Sequence, residues 1–279
     1  MGIRNFIIKF SLFALIACPV LTFKNLLFYY TGLYKTTVFG NEIYLSLKKS
    51  KIKKKVKKLL IGDSVGNQLY DNKVYNDSIF SLTCNQAISM VGQYILLSNF
   101  IETNKENAPK EVILLITPNS FLNNLNQDLS YHYFLKPFYY QENEKYFDTL
   151  CNTQIKKIPY YFSSTIPFIR SSNWSPDFVE IKDSSYKVIS PVSVDYIGKI
   201  KALCLSNNIK FTIAPTPVRS SRYKIIEEYS QTSEVTPGYL TYDLKNYFNN
   251  IVFMPDGLFK DNSHFKIKNI PVDFLKLRG

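Results

Sequence analysis

Short apolar runs recur along the chain, and each stops abruptly at a glycine, a proline or a polar turn. Leu59-Leu60-Ile61 follows Lys57-Lys58 and ends at Gly62-Asp63-Ser64. Ser78 to Asn85 and Glu111 to Thr117 repeat the pattern, Lys210 to Ala214 halts at Pro215, and Asn250 to Met254 is the last. Runs of this length with few polar interruptions suit strands buried on both faces of a parallel sheet. Stretches with helical spacing alternate with them: Val65 to Tyr70, Met90 to Phe100, Pro191 to Asn208 (apolar at Ile197, Ile200, Leu203 and Cys204) and Gly238 to Phe248. The alternation predicts an α/β fold, a three-layer α/β/α sandwich around a mostly parallel five-stranded sheet. Every strand end in such a sheet shares one edge with the others, so residues distant in sequence can meet there.

This domain is expected over residues 57–279, with a polar, basic excursion over 217–236, a C-terminal helix containing Pro271, and residues 120–190 interrupting the rhythm. They are rich in Asn, Tyr, Phe and Ser, carry Trp174, and are expected to form a helical cap over the strand ends. Residues 1–30 open with Arg4 and Lys9 and continue as an apolar run from Phe10 to Phe23, extended by Leu26-Leu27-Phe28-Tyr29-Tyr30. That pattern suits an uncleaved signal anchor or transmembrane segment, with the basic start cytoplasmic and the domain outside the cytoplasm. Leu15-Ile16-Ala17-Cys18 also resembles a lipoprotein processing box, and a cleaved signal peptide or an amphipathic helix are further readings. Residues 31–56 are expected to be a basic linker ending in a solvated helix or coil.

The net charge of +12 raises nucleic acid as a partner, but the excess is local. Eight lysines crowd Lys48 to Lys58, with no zinc-finger spacing and no helix-turn-helix or RNA-recognition signature. Such a block beside an apolar segment points instead to anionic headgroups or polymer. The four cysteines are widely spaced, so neither a metal centre nor a disulfide scaffold is expected.

The chemistry sits after the strands. Ser64 follows the first, over the start of a helix whose leading N–H groups are free. The chain holds only two histidines, and His264 has an aspartate, Asp261, three positions before it. A turn brings such a pair together, the carboxylate holds the Nδ1 proton, and Nε2 is left to accept from a serine. Asp63 is expected to bond the turn. Oxyanion donors are expected from the N–H of Ser64, the N–H of Ala87 and the side-chain amide of Asn119. His132, in the cap, and Arg219 and Arg222, after the fourth strand, are candidate substrate contacts.

Four of these segments carry a family resemblance. Gly62-Asp63-Ser64 resembles the first block of the GDSL, or SGNH, hydrolases, and Asn85-Gln86-Ala87 the second, where the family usually has glycine. Thr117-Pro118-Asn119-Ser120 is similar to the third, usually Gly-x-Asn-Asp, and Asp261-Asn262-Ser263-His264 to the closing Asp-x-x-His. The blocks come in order over residues 57–279. The resemblance implies a flavodoxin-like winding and a serine esterase or O-acyltransferase without cofactor or metal. Ser64 would be its nucleophile, His264 its base, Asp261 the orienter, and Ser64, Ala87 and Asn119 its oxyanion donors. The implied substrate is an acyl ester, possible members being acylated envelope glycans. A catalytically inactive protein that binds or scaffolds glycan assembly is the alternative.

Overall fold

The computed structural model describes residues 2–30, 38–70, 78–123, 125, 130, 134, 144–156, 189–231 and 238–266, with side chains of the first helix described as far as Ala17. Four strands, β1 (Lys58–Gly62), β2 (Ile79–Ser81), β3 (Glu111–Ile116) and β4 (Lys210–Pro215), form a parallel sheet in the order β2-β1-β3-β4. Their side chains alternate strictly. Leu59, Ile61, Val112, Leu114 and Ile116 enter the large core, whereas Leu60, Ile113, Leu115 and Ala214 form a second cluster on the opposite face. Burial on both sides is why these strands read as unbroken apolar runs.

The large core is closed by α2 (Val38–Ser50), α4 (Ser89–Thr103), α6 (Pro191–Ser206) and α8 (Gly238–Asn249), each contributing buried residues such as Ile43, Leu97, Ile200 and Tyr247. On the other face the described cover is Leu69, at the end of the short helix α3 (Ser64–Leu69), and Tyr70. The chain leaves β1 toward β2 on one side and returns past β1 to β3 on the other. Successive strands therefore diverge between β1 and β3, where doubly wound sheets open a crevice at their carboxyl edge.

The sheet has four strands among the described residues, not the expected five. The residues expected to complete it form β6 (Phe253–Met254), which pairs in parallel with β5 (Val218–Arg219) as a separate two-stranded ribbon. The cause is proline. Thr216 still donates to Ile116 O at 3.1 Å, but Pro215 and Pro217 have no N–H to offer, and by Val218 the chain donates instead to Val252 O at 2.9 Å. The expected polar excursion over 217–236 likewise contains structure, α7 (Tyr223–Gln231), which buries Ile226.

The expected linker is also corrected. α2 lies within it and packs on α4, because Ile43 and Leu47 form an i, i+4 apolar stripe among the lysines. Ser46 donates to Thr83 O at 3.3 Å, level with the carboxyl end of β1, and Ser50 receives Asn99 Nδ2 at 3.3 Å farther down α4. α2 thus descends past the sheet from its carboxyl edge to its amino edge. Lys49 is buried with its ammonium 4.5 Å from the centre of the Phe80 ring. Beyond α2, Asn104 clamps the backbone at Ile52 O and Lys54 N.

At the N-terminus, α1 spans Ile3–Tyr30 and exposes Ile3, Phe6, Ile7, Phe10, Phe13, Leu15 and Ile16. Among the described residues no helix is long and apolar enough to cross a membrane. Of the expected cap, the described parts include the turn Pro118–Leu122 and α5 (Thr149–Lys156); residues 157–188 and His132 lie outside the described residues, as does the C-terminal helix expected around Pro271.

Candidate active site

Gly62 ends β1 because nothing larger fits. A Cβ there would stand 1.9 Å from Leu115 O of the neighbouring strand, so the backbones of β1 and β3 approach to a distance only glycine permits. One residue on, Asp63 caps α3. Its Oδ1 accepts from the N–H groups of Val65 at 3.0 Å and Gly66 at 3.1 Å. Its Oδ2 accepts from Thr117 N at 2.6 Å, Thr117 Oγ1 at 2.8 Å and Ser120 Oγ at 2.6 Å. Five donors therefore meet one buried carboxylate and join the end of β1 to the turn after β3. In the turn after β3, on either side of Pro118 and Asn119, the Thr117 and Ser120 hydroxyls and the Thr117 N–H hold Asp63 Oδ2.

The cap leaves Ser64 as the first residue of α3. Its N–H has no partner among the described residues, and its Oγ lies 2.8 Å from His264 Nε2. His264 Nδ1 lies 3.0 Å from both carboxylate oxygens of Asp261, and this selects the tautomer in which Nε2 accepts from the serine. Asp261 also accepts from the backbone N–H groups of Ser263 at 2.9 Å and His264 at 2.8 Å. Burial acts to raise its pKa, but those two N–H groups and the adjacent imidazole outweigh it and hold the carboxyl below its ordinary value. The pair remains open to solvent, with His264 39% and Asp261 50% exposed along their side chains.

A residue that sequence reasoning did not single out fixes this loop. Gln68 on α3 donates through Nε2 to Phe265 O at 3.3 Å and accepts from Phe265 N at 3.0 Å. Phe265 stacks on Phe259 with ring centres 4.6 Å apart, and both pack against Val65. Ser64 and the loop that carries His264 thus hang from one helix, through a two-point amide clamp and an aromatic pair. Nothing local distinguishes Gln68 from a solvent-facing helical glutamine; its partner is 197 residues away.

Arg219 serves the same loop. It donates to Asp256 Oδ2 at 2.9 Å, to Asp261 O at 3.2 Å and to Asn262 Oδ1 at 3.4 Å. The Ser221 hydroxyl and N–H, together with Arg219, hold the Asp256 carboxyl down to about 2. Arg219, expected as a substrate contact, is therefore occupied within the protein. Arg222 is half-buried and has no hydrogen bond or ion pair among the described residues.

The three expected oxyanion donors divide. The Asn119 amide has no partner among the described residues and lines a small cleft beside Asn262 and Ser263. Ala87 is buried and its N–H is donated to Asn85 Oδ1 at 3.0 Å, so this donor is already engaged. That leaves the Ser64 N–H and the Asn119 side chain. Beneath them Gly62 O is saturated by Cys84 N at 3.1 Å and Gln93 Nε2 at 2.9 Å. Burial pushes the Cys84 thiol well up, which keeps it inert. The assembled groups (a hydroxyl, an imidazole on it, a carboxylate behind that, two free donors nearby) are what acyl transfer requires. No protein-family model, curated protein or solved structure matches the chain.

Proposed function

We propose that the chain is a serine esterase or O-acyltransferase of the SGNH type, acting on acyl esters through a Ser64–His264–Asp261 triad. The observation that carries this reading is the 2.8 Å contact between Ser64 Oγ and His264 Nε2, made across 200 residues of sequence. In the proposed reaction Ser64 attacks the ester carbonyl as His264 takes its proton, with Asp261 stabilising the imidazolium. The Ser64 N–H and Asn119 receive the oxyanion, His264 returns the proton to the leaving alcohol, and water or a sugar hydroxyl resolves the acyl-enzyme.

The apolar side chains that α1 exposes, and the apolar sequence that continues from them, support attachment to a membrane with the domain outside the cytoplasm. An acylated envelope glycan is the substrate proposed for a protein held there. A fluorophosphonate probe tests the enzyme reading. Labelling at Ser64 that disappears in Ser64→Ala and His264→Ala is the expected result, and a folded protein that takes no label refutes it.

A second reading, a glycan-binding or assembly protein without catalysis, is favoured by one observation. The Ala87 N–H is engaged by Asn85, so the oxyanion site has two donors in place of three. Glycan binding by a folded, unlabelled protein is its expected signature.

A further inference from the structure

The two arginines that follow β4 have different fates. Arg219 is bound to Asp256 and to the loop of the triad aspartate. Arg222, one turn later, lines the small cleft that also holds Asn119, Asn262 and Ser263, with Pro118 and Val218 as apolar walls. Ser263 precedes the triad histidine, and Asn119 carries the free amide proposed for the oxyanion. The cleft itself is small, about 10 Å³, so an anionic group held by Arg222 would lie at its mouth, beside the residue that precedes His264 and beside the Asn119 amide.

Among the described residues no carboxylate lines the cleft. Glu227, five residues on along the chain, accepts from Tyr223 Oη at 3.4 Å, and the aspartates around the triad loop are already engaged. Asp256 holds Arg219 and the Ser221 N–H, Asp261 holds His264, and Asp63 is enclosed by five donors. Arg222 is partly buried as a residue, and no described side chain pairs with its guanidinium. Its planar fork matches two oxygens of a carboxylate or phosphate, which neutral amides such as Asn119 and Asn262 do not replace. The net charge of +12 favours the approach of an anion.

We propose that Arg222 binds an anionic oxygen group, carboxylate or phosphate, carried by the ester substrate beside its reacting carbonyl. The inference rests on the assignment of Ser64 as nucleophile and narrows the substrate to acidic esters.

Three acetyl esters of similar leaving group test it: phenyl acetate, 4-acetoxybenzoate and 4-acetoxyphenyl phosphate. The native protein is expected to prefer one or both charged esters in kcat/KM, and whichever is preferred separates a carboxylate from a phosphate ligand. In Arg222→Gln that preference falls about 10- to 100-fold, through KM, and Arg222→Lys recovers part of it. Equal treatment of all three esters by the native protein, or an equal loss on all three in Arg222→Gln, overturns the proposal. A second arm is independent of turnover. Benzoate and inorganic phosphate are titrated by NMR into Ser64→Ala and into Ser64→Ala/Arg222→Gln. Saturable binding of either anion that Arg222→Gln removes supports the site even for a protein that hydrolyses nothing; binding that is absent, or unchanged by Arg222→Gln, overturns it.

Discussion

The two edges of the sheet handle charge in opposite ways. At the amino edge Glu111 sits between Lys58 at 3.2 Å and Lys210 at 3.1 Å, and the two lysines are 48% and 73% exposed. At the carboxyl edge Asp63 is buried and receives five hydrogen bonds from backbone and hydroxyl groups, none of them from a cation. Exposed ion pairs contribute about 0–1 kcal/mol, because water screens the attraction and two long side chains must be ordered. A buried carboxylate in a complete network is a different object: each donor is fixed by the fold, and its removal leaves all of them unpaired at once. The edge that looks strongly charged is thus the tolerant one, and the edge with hidden charge is the one that holds the site together.

Mutations can break this contrast, beginning with the reaction itself. His264→Ala is expected to lower kcat by about 10⁴-fold or more on any ester the protein hydrolyses, with the folded state intact by circular dichroism. Asp63→Ala comes next. Loss of the shared acceptor should destabilise the protein by about 3–5 kcal/mol, measured as a lowered denaturant midpoint. Asn119→Ala is expected to reduce kcat by about 10²–10³-fold at unchanged stability, which separates an oxyanion donor from a turn former.

The smallest effect belongs to the amino edge. Burial pushes the Glu111 pKa up, but Lys210 and Lys58 outweigh it and hold it below its ordinary value. Its contribution is therefore complete above the ordinary glutamate range of about 4.3 and is lost as pH falls through the depressed value. Glu111→Gln should cost less than about 1 kcal/mol at neutral pH and flatten the acid side of the stability profile. A loss as large as that of Asp63→Ala would end the contrast between the edges.

What was legible in the sequence follows the range of the interactions. The strands β1, β3 and β4 announce themselves because burial on both faces leaves an apolar run, and Asp261 points to His264 because their contact closes within three residues. α2 was hidden: the lysine block from Lys48 to Lys58 that begins at its end draws the eye, while two apolar positions four apart, Ile43 and Leu47, decide where it packs. The short β6 depended on which N–H groups Pro215 and Pro217 withhold from a partner strand, a pairing that no local pattern encodes. Within the site, the serine, histidine and aspartate could be named from motif and spacing. Gln68 could not, since its role exists only once α3 meets a loop from the far end of the chain. Arg219 and Arg222 are chemically alike and three residues apart, and only the position of Asp256 distinguishes the occupied one from the available one.

The course of α2 has a mechanical consequence. It starts on the side of the sheet where Ser64 lies and runs down toward Glu111 and the lysines, and only residues 31–37 separate its first residue from the end of α1. Seven residues, even fully stretched, reach about 25 Å. The end of α1 therefore lies within about that distance of the side of the sheet where Ser64 lies, while Lys58, Lys210 and Glu111 sit at the opposite edge, a full strand length beyond.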